Sequence, residues 1–214
     1  IPMSFESYKN KIEKISLSTS VKAISNNAFK DCSSLQFISI PSSITKIGEG
    51  SFINCTSLKQ IPISSSVESF GKGAFINCSS LIQIDIPLTM NTIPENSFVN
   101  CYSLSQVRIP SSLTKIESYS FSSCSSLTLI SIPSSVTSIG KSAFNGCSLL
   151  SQIEIPESVT SIGDHVFNGC VSLLKVSFLS NSINEIGENF FSECSSLTQI
   201  SIPSSVILIG KCAF

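Results

Sequence analysis

The chain has 214 residues and a formal charge of −1, and 13% of its residues are charged, about half the roughly 25% of an average soluble chain. That balance leaves no basic face for nucleic acid or an anionic membrane surface. No apolar run nears the roughly 18 residues that a bilayer span needs and no basic-then-apolar leader opens the chain, so no membrane insertion is expected of this segment.

Residues 1–14 open with the Ile-Pro pair seen later in the chain but lack its Phe and Cys, and read as a degenerate repeat or N-terminal cap. From 15 to 214 one unit recurs every 23 residues, opening at Ile15, Ile38, Ile61, Ile84, Val107, Ile130, Ile153, Val176 and Ile200, the last copy stopping at Phe214. Such a period marks an array of stacked repeats forming one domain. Ile1 is not an initiator Met and Phe214 falls within a repeat, so the chain reads as a piece of something longer. The unit from Val176 has one extra residue, with Leu179-Ser180-Asn181-Ser182 where its neighbours have Pro-x-Ser, and a bulge or widened loop is expected there.

Each unit opens with β-branched residues in apolar/polar alternation, which predicts a short strand. Strands that return after one 23-residue circuit must pair in parallel. Pro41, Pro87, Pro110, Pro133, Pro156 and Pro203 follow the strand and end its ladder, whereas Pro62 falls inside its segment and should weaken it. A V-x-x-I-G stretch then returns toward the core and turns at Gly48, Gly71, Gly140, Gly163, Gly187 and Gly210, which are expected at positive φ; Ser25, Pro94 and Glu117 replace them elsewhere. The closing A-F-x-x-C-x-x-L has apolar spacings of three, the pattern of one or two turns of α- or 3₁₀-helix. Strand on one side and helical turn on the other predict a wedge-shaped coil and a curved stack, strands concave, about 40 Å long at the usual 4.8 Å strand spacing.

Cys32, Cys55, Cys78, Cys101, Cys124, Cys147, Cys170 and Cys194 form one column, each three residues after a Phe and three before a Leu. Pairing neighbours would distort alternate repeats that the sequence keeps alike. The column therefore reads as buried reduced thiols acting as small hydrophobes. Cys212 lies outside the column, in the row of Asn27, Gly50, Gly73, Asn96, Tyr119, Ser142, His165 and Asn189, and is expected to be exposed.

The pattern L-x-x-I-x-I-P-x-S-V-x-x-I-G-x-x-A-F-x-x-C, nearly whole from Leu127 to Leu150 and recurring over residues 15–214, closely resembles the 23-residue repeat of BspA-like leucine-rich-repeat surface proteins. The resemblance implies a curved leucine-rich-repeat solenoid, α/β but β-rich, with a parallel concave β-sheet and short helical or 3₁₀ turns on the convex side. It also implies a non-enzymatic adhesin or recognition protein at the cell surface or secreted, whose partners are proteins or glycans of host matrix or cells. The family carries no catalytic residue or cofactor, and its binding surface varies. An intracellular scaffold of the same fold is the alternative.

Alternation places Phe37, Gln60, Gln83, Gln106, Leu129, Gln152 and Lys175 just before the strands and Asp85, Arg108, Ser131 and Glu154 within them, all on the concave face. These are the candidate partner-binding residues, with a partial glutamine ladder, Asp85 beside Arg108, and Phe37 and Leu129 as apolar anchors. A solvated face whose amides simply satisfy one another would show the same pattern. No C-x-x-C pair and a single histidine, His165, argue against zinc. His165, with Asp164 and Ser161 nearby only through the repeat, makes a thin case for nucleophilic catalysis. Asn54-Cys55-Thr56 and Asn77-Cys78-Ser79 are N-glycosylation sequons that also coincide with the repeat consensus. Open ends of the array are expected to self-associate through unpaired strand and apolar edges.

Overall fold

The computed structural model describes residues 8–179 and 181–214. The chain winds into a solenoid of stacked coils in which residue i sits beside residue i+23, as in the pairing of Ile15 with Ile38 or Ile139 with Ile162. Every strand pair is parallel.

Two rows of strands run along the stack. The first holds Lys14–Ser16, Phe37–Ser39, Gln83–Asp85, Gln106–Arg108, Gln152–Ile155 and Lys175–Phe178. At Pro62 the ladder shrinks to single bridges from Phe37 to Gln60 and from Gln60 to Gln83, the weakening expected of a proline inside a strand. The second row was not foreseen as strand. Its members are Ala23–Ile24, Lys46–Ile47, Ser69–Phe70, Thr92–Ile93, Lys115–Ile116, Ser138–Ile139, Ser161–Ile162, Glu185–Ile186 and Leu208–Ile209.

The second row breaks into three sheets, with joins missing between Phe70 and Thr92 and between Ile162 and Glu185. Where the row continues, the residue after the strand donates its N–H across to the previous coil, as Gly71 does to Ile47 O at 2.9 Å and Glu117 to Ile93 O at 3.0 Å. Pro94 has no N–H to give Phe70, which accounts for the first break. The second break falls in the repeat with the extra residue. In the first row Leu179 N still bonds Ile155 O at 2.9 Å, so pairing there holds up to that point; Ser180, within the expected bulge, lies outside the described residues.

The closing segment of each coil and the turn before it correct two expectations. No helix, α or 3₁₀, occurs among the described residues. The spacing of three comes instead from separate i→i+3 turns: Ala28 N to Ser25 O, Lys30 N to Asn27 O and Cys32 N to Phe29 O, at 3.1–3.2 Å. Between them Asn27, Phe29 and Asp31 donate to Glu49 O, Ser51 O and Ile53 O of the next coil at 2.7–2.8 Å. Every second N–H is thus spent between coils, and no continuous helix can form. Positive φ also falls elsewhere than expected: the six turn glycines are not left-handed, while the Asn27 row and the residues just before the cysteines are, among them Asp31, Asn54, Asn77 and Asn100 at φ 59–64°. Asn, Asp and Gly tolerate that region best. The turn glycines answer to close approach, since a Cβ on Gly71 would lie 2.3 Å from Glu49 N.

The core is a set of ladders. Phe29, Phe52, Phe75, Phe98, Phe121, Phe144, Phe167, Phe191 and Phe214 stack along the axis with centroids 5.4–5.9 Å apart. Each column thiol from Cys55 to Cys194 donates to the Phe carbonyl of the previous coil, Cys124 Sγ to Phe98 O at 3.3 Å for example. The same carbonyl accepts the Cys N–H of its own coil, as Phe98 O does from Cys101 N at 3.2 Å, so both lone pairs are used. A side chain here must be small, apolar and a donor, which is why cysteine fills the column. Serine hydroxyls do comparable work at the surface: Ser43 bonds Val21 O and Ser135 bonds Leu113 O one coil back, at 2.7 and 2.6 Å.

No disulfide occurs among the described cysteines; the column is buried and Cys212 is exposed. Burial pushes the Cys147 thiol up to about 12 and Cys194 to about 11. At neutral pH, native iodoacetamide labelling should therefore place one adduct on the protein, at Cys212, with the column reacting after denaturation. Two or more adducts on the folded protein, counted by mass spectrometry, would contradict this burial.

Candidate functional site

First-row strands present alternate side chains to the core and to solvent. Ile38, Ile84 and Ile153 point inward and are buried. The candidates Phe37, Gln60, Gln83, Asp85, Gln106, Arg108, Leu129, Ser131, Gln152, Glu154 and Lys175 all lie outward and exposed, whereas Ser39 and Ser177 on the same face are half-buried.

Backbone register brings several of them side by side. Phe37, Gln60, Gln83 and Gln106 occupy consecutive coils in one row; Phe37, Gln83 and Gln106 are the first residues of their strands rather than lying before them. Asp85 pairs with Arg108 and Gln152 with Lys175. Arg108 Nη1 lies 3.7 Å from Asp85 Oδ2, with 83% and 57% of the side chains exposed; an ion pair that open to water adds little stability. It leaves both groups accessible to a partner. The segment Leu129–Ser131 is not paired as strand, so it interrupts the row between Arg108 and Gln152.

Two hollows on this face are lined mainly by the eleven residues, beside a third, of about 480 Å³, lined by Leu174, Lys175, Ser177, Phe178, Gln199 and Ser201. One, of about 360 Å³, is lined by Leu129, Ser131, Gln152, Glu154, Lys175 and Ser177 above Ile130 and Ile153. The other, of about 220 Å³, is lined by Phe37, Gln60, Pro62, Ile63, Gln83 and Asp85 above Ile61. Sequence reasoning placed most of these residues but not the hollows, which depend on what Pro62 and the unpaired Leu129 segment do to neighbouring coils.

The remaining candidates resolve locally. Among the described residues no group of three or more His, Cys, Asp or Glu could hold a metal. His165 Nε2 faces Asn189 Nδ2 at 3.2 Å, and its Nδ1 is buried without a hydrogen-bond partner, so no serine hydroxyl is held against either ring nitrogen. Asn54 and Asn77 belong to an amide ladder: Asn54 Nδ2 donates to Asp31 Oδ1 at 2.7 Å, Asn77 to Asn54 Oδ1 at 2.7 Å, and Asn100 to Asn77 Oδ1 at 2.8 Å. The Asn54 amide, followed by the charges of Lys9 and Lys30, holds the Asp31 carboxyl below its ordinary value. The two sequons thus place their asparagines where coil stacking uses them. At the last coil Ile207, Leu208, Ile209 and Phe214 are exposed.

Comparison with known proteins gives one family. The model of the BspA-type leucine-rich repeat region matches residues 2–128 and 114–214 with six copies. A leucine-rich cell surface protein of Faecalibacterium prausnitzii is similar in structure, with TM-score 0.65 and 29% identity over 97% of this chain and 72% of its own. A leucine-rich repeat protein of Bacteroides ovatus has TM-score 0.59 and 28% identity over 94% of this chain, which spans 63% of that protein's length. The pneumococcal vaccine antigen PcpA shares the fold at TM-score 0.58 and 22% identity, over 94% of this chain and 63% of its own. No curated protein sequence matches the chain. With the repeat model spanning nearly its whole length and the solenoid built from that repeat, the chain belongs to the BspA-type leucine-rich-repeat family.

Proposed function

We propose that this is a non-enzymatic recognition module of a cell-surface or secreted protein, binding a macromolecular partner through its first-row strand face. One observation carries the reading: the eleven outward residues from Phe37 to Lys175 are all exposed, while the alternate Ile38, Ile84 and Ile153 are buried in the core. A rigid ladder presenting amides, both charges and isolated apolar side chains is how solenoids make extended contacts. The likeness to a leucine-rich cell surface protein at 29% identity supports the location.

The test is a double variant, Arg108→Ala with Glu154→Ala, measured against immobilised matrix proteins and mucosal cell surfaces. Affinity should fall at least tenfold, since these charges face solvent at separate points of the row, while unfolding free energy stays within about 1 kcal/mol of the parent, as for most surface changes. Unchanged affinity would move the site off this face.

A further inference from the structure

The hollow at the Phe37 end of the face differs in chemistry from the one at Leu129. We propose that it is a carbohydrate subsite that takes one pyranose ring of a neutral glycan. The proposal rests on the strand face being the binding surface and names its ligand class.

The hollow has a structural cause. Pro62 stands where the next coil presents Asp85, and pairing between the flanking coils is reduced to Gln60. The opened ladder leaves about 220 Å³, room for a single sugar ring. One side is apolar: the Phe37 ring, 42% exposed, with Pro62 exposed and Ile63 half-buried. The core does not require an aromatic there, since the equivalent residues are mostly glutamine. The rest of the lining includes Gln60, Gln83 and Asp85, which bring two amides and a carboxylate.

A pyranose is amphipathic in the same way. One face carries a patch of C–H groups that packs on an aromatic ring, and its rim carries hydroxyls that each donate and accept. The glutamine amides offer donors and acceptors on coils about 4.8 Å apart, comparable to the separation of hydroxyls across a sugar ring. Asp85 accepts from a hydroxyl, and Arg108, 3.7 Å away, offers donors beside it. With the carboxylate balanced by Arg108, the hollow favours an uncharged sugar. An apolar peptide side chain would cover these amides and the carboxylate without replacing their hydrogen bonds to water, which is costly. The Leu129 hollow has no aromatic lining and so no comparable platform.

Saturation-transfer NMR of the intact chain with methyl glycosides of glucose, galactose, mannose, fucose and N-acetylglucosamine at millimolar concentration tests this. At least one glycoside should receive saturation on its C–H face. Phe37→Ala and Gln83→Ala should each weaken its binding at least tenfold, and Phe37→Tyr should retain it; both positions are exposed, so circular dichroism should be unchanged in all three variants. No signal from any glycoside, or a signal indifferent to Phe37→Ala, overturns the subsite. If surface binding sensitive to the Arg108/Glu154 pair persists in that case and survives deglycosylation of the partner, the face binds protein and the glycan proposal alone is wrong. Loss of both would remove the strand face as well.

Discussion

Raising the pH from about 9 to about 11 is expected to unfold the array cooperatively. Burial raises the thiols of Cys55, Cys78, Cys101, Cys124, Cys147 and Cys170, the first-named cause in each case. An exposed thiol in the unfolded chain ionises near 9.0. Below that pH both states hold their protons and the column's contribution is complete. Above it the unfolded chain releases protons that the native state keeps, so stability falls as pH rises toward the folded values. Each such thiol removes about 1.4 kcal/mol per pH unit, and six together roughly 8 kcal/mol per unit. A native stability of about 5–15 kcal/mol is used up within about two units. Circular dichroism followed from pH 8 to pH 12, with reductant present, should show a steep loss. Replacing Cys101, Cys124 and Cys147 with alanine should make that loss shallower. A chain still folded beyond about pH 12 would show that the column does not govern alkaline stability.

Phe121→Ala should destabilise the chain by about 3–5 kcal/mol, the usual cost of removing a buried phenylalanine. Phe121 is fully buried and its ring stacks on Phe98 at 5.4 Å and on Phe144 at 5.6 Å. The cavity would open in mid-array, where coils on both sides are held in register by their own ladders and collapse poorly into it. Phe29→Ala is the internal comparison: Phe29 is half-buried and has one stacked neighbour in the column, Phe52. Its loss should cost less than half as much. Equal costs in urea unfolding would mean that the ladder is not the source of stability.

What could be read from the residues alone follows from how the information is carried. The Phe, Cys and Leu columns repeat chemical identity every 23 residues, so the stack, its parallel strands and the buried thiols were legible. The outward residues from Phe37 to Lys175 were legible too, because a strand alternates with period two. A two-residue strand such as Lys46–Ile47 has no alternation to detect, and the second row was missed. The closing A-F-x-x-C-x-x-L segment was misassigned because a spacing of three suits both a helix and a chain of separate turns. The deciding signal was present as the rows of Asn, Asp and Gly at Asn27, Gly50 and Gly73 and at Asp31, Asn54 and Asn77, residue types suited to left-handed backbone. Pro62 signalled a weakened strand, but the hollow beside it needs the positions of three successive coils, which no linear pattern contains.

The hydroxyl and thiol ladders share one property with a genetic consequence. Each bond joins one fixed position of the repeat to another fixed position one coil back, so removing or adding a complete 23-residue unit between Ile24 and Ile162 leaves these ladders with the same kinds of partner. Unequal recombination within such a gene shortens or lengthens the molecule one coil at a time without creating a fold that must be newly selected. The 24-residue unit from Val176 is different, because a crossover there carries the extra residue with it. Length polymorphism among alleles should therefore accumulate on the N-terminal side of Val176.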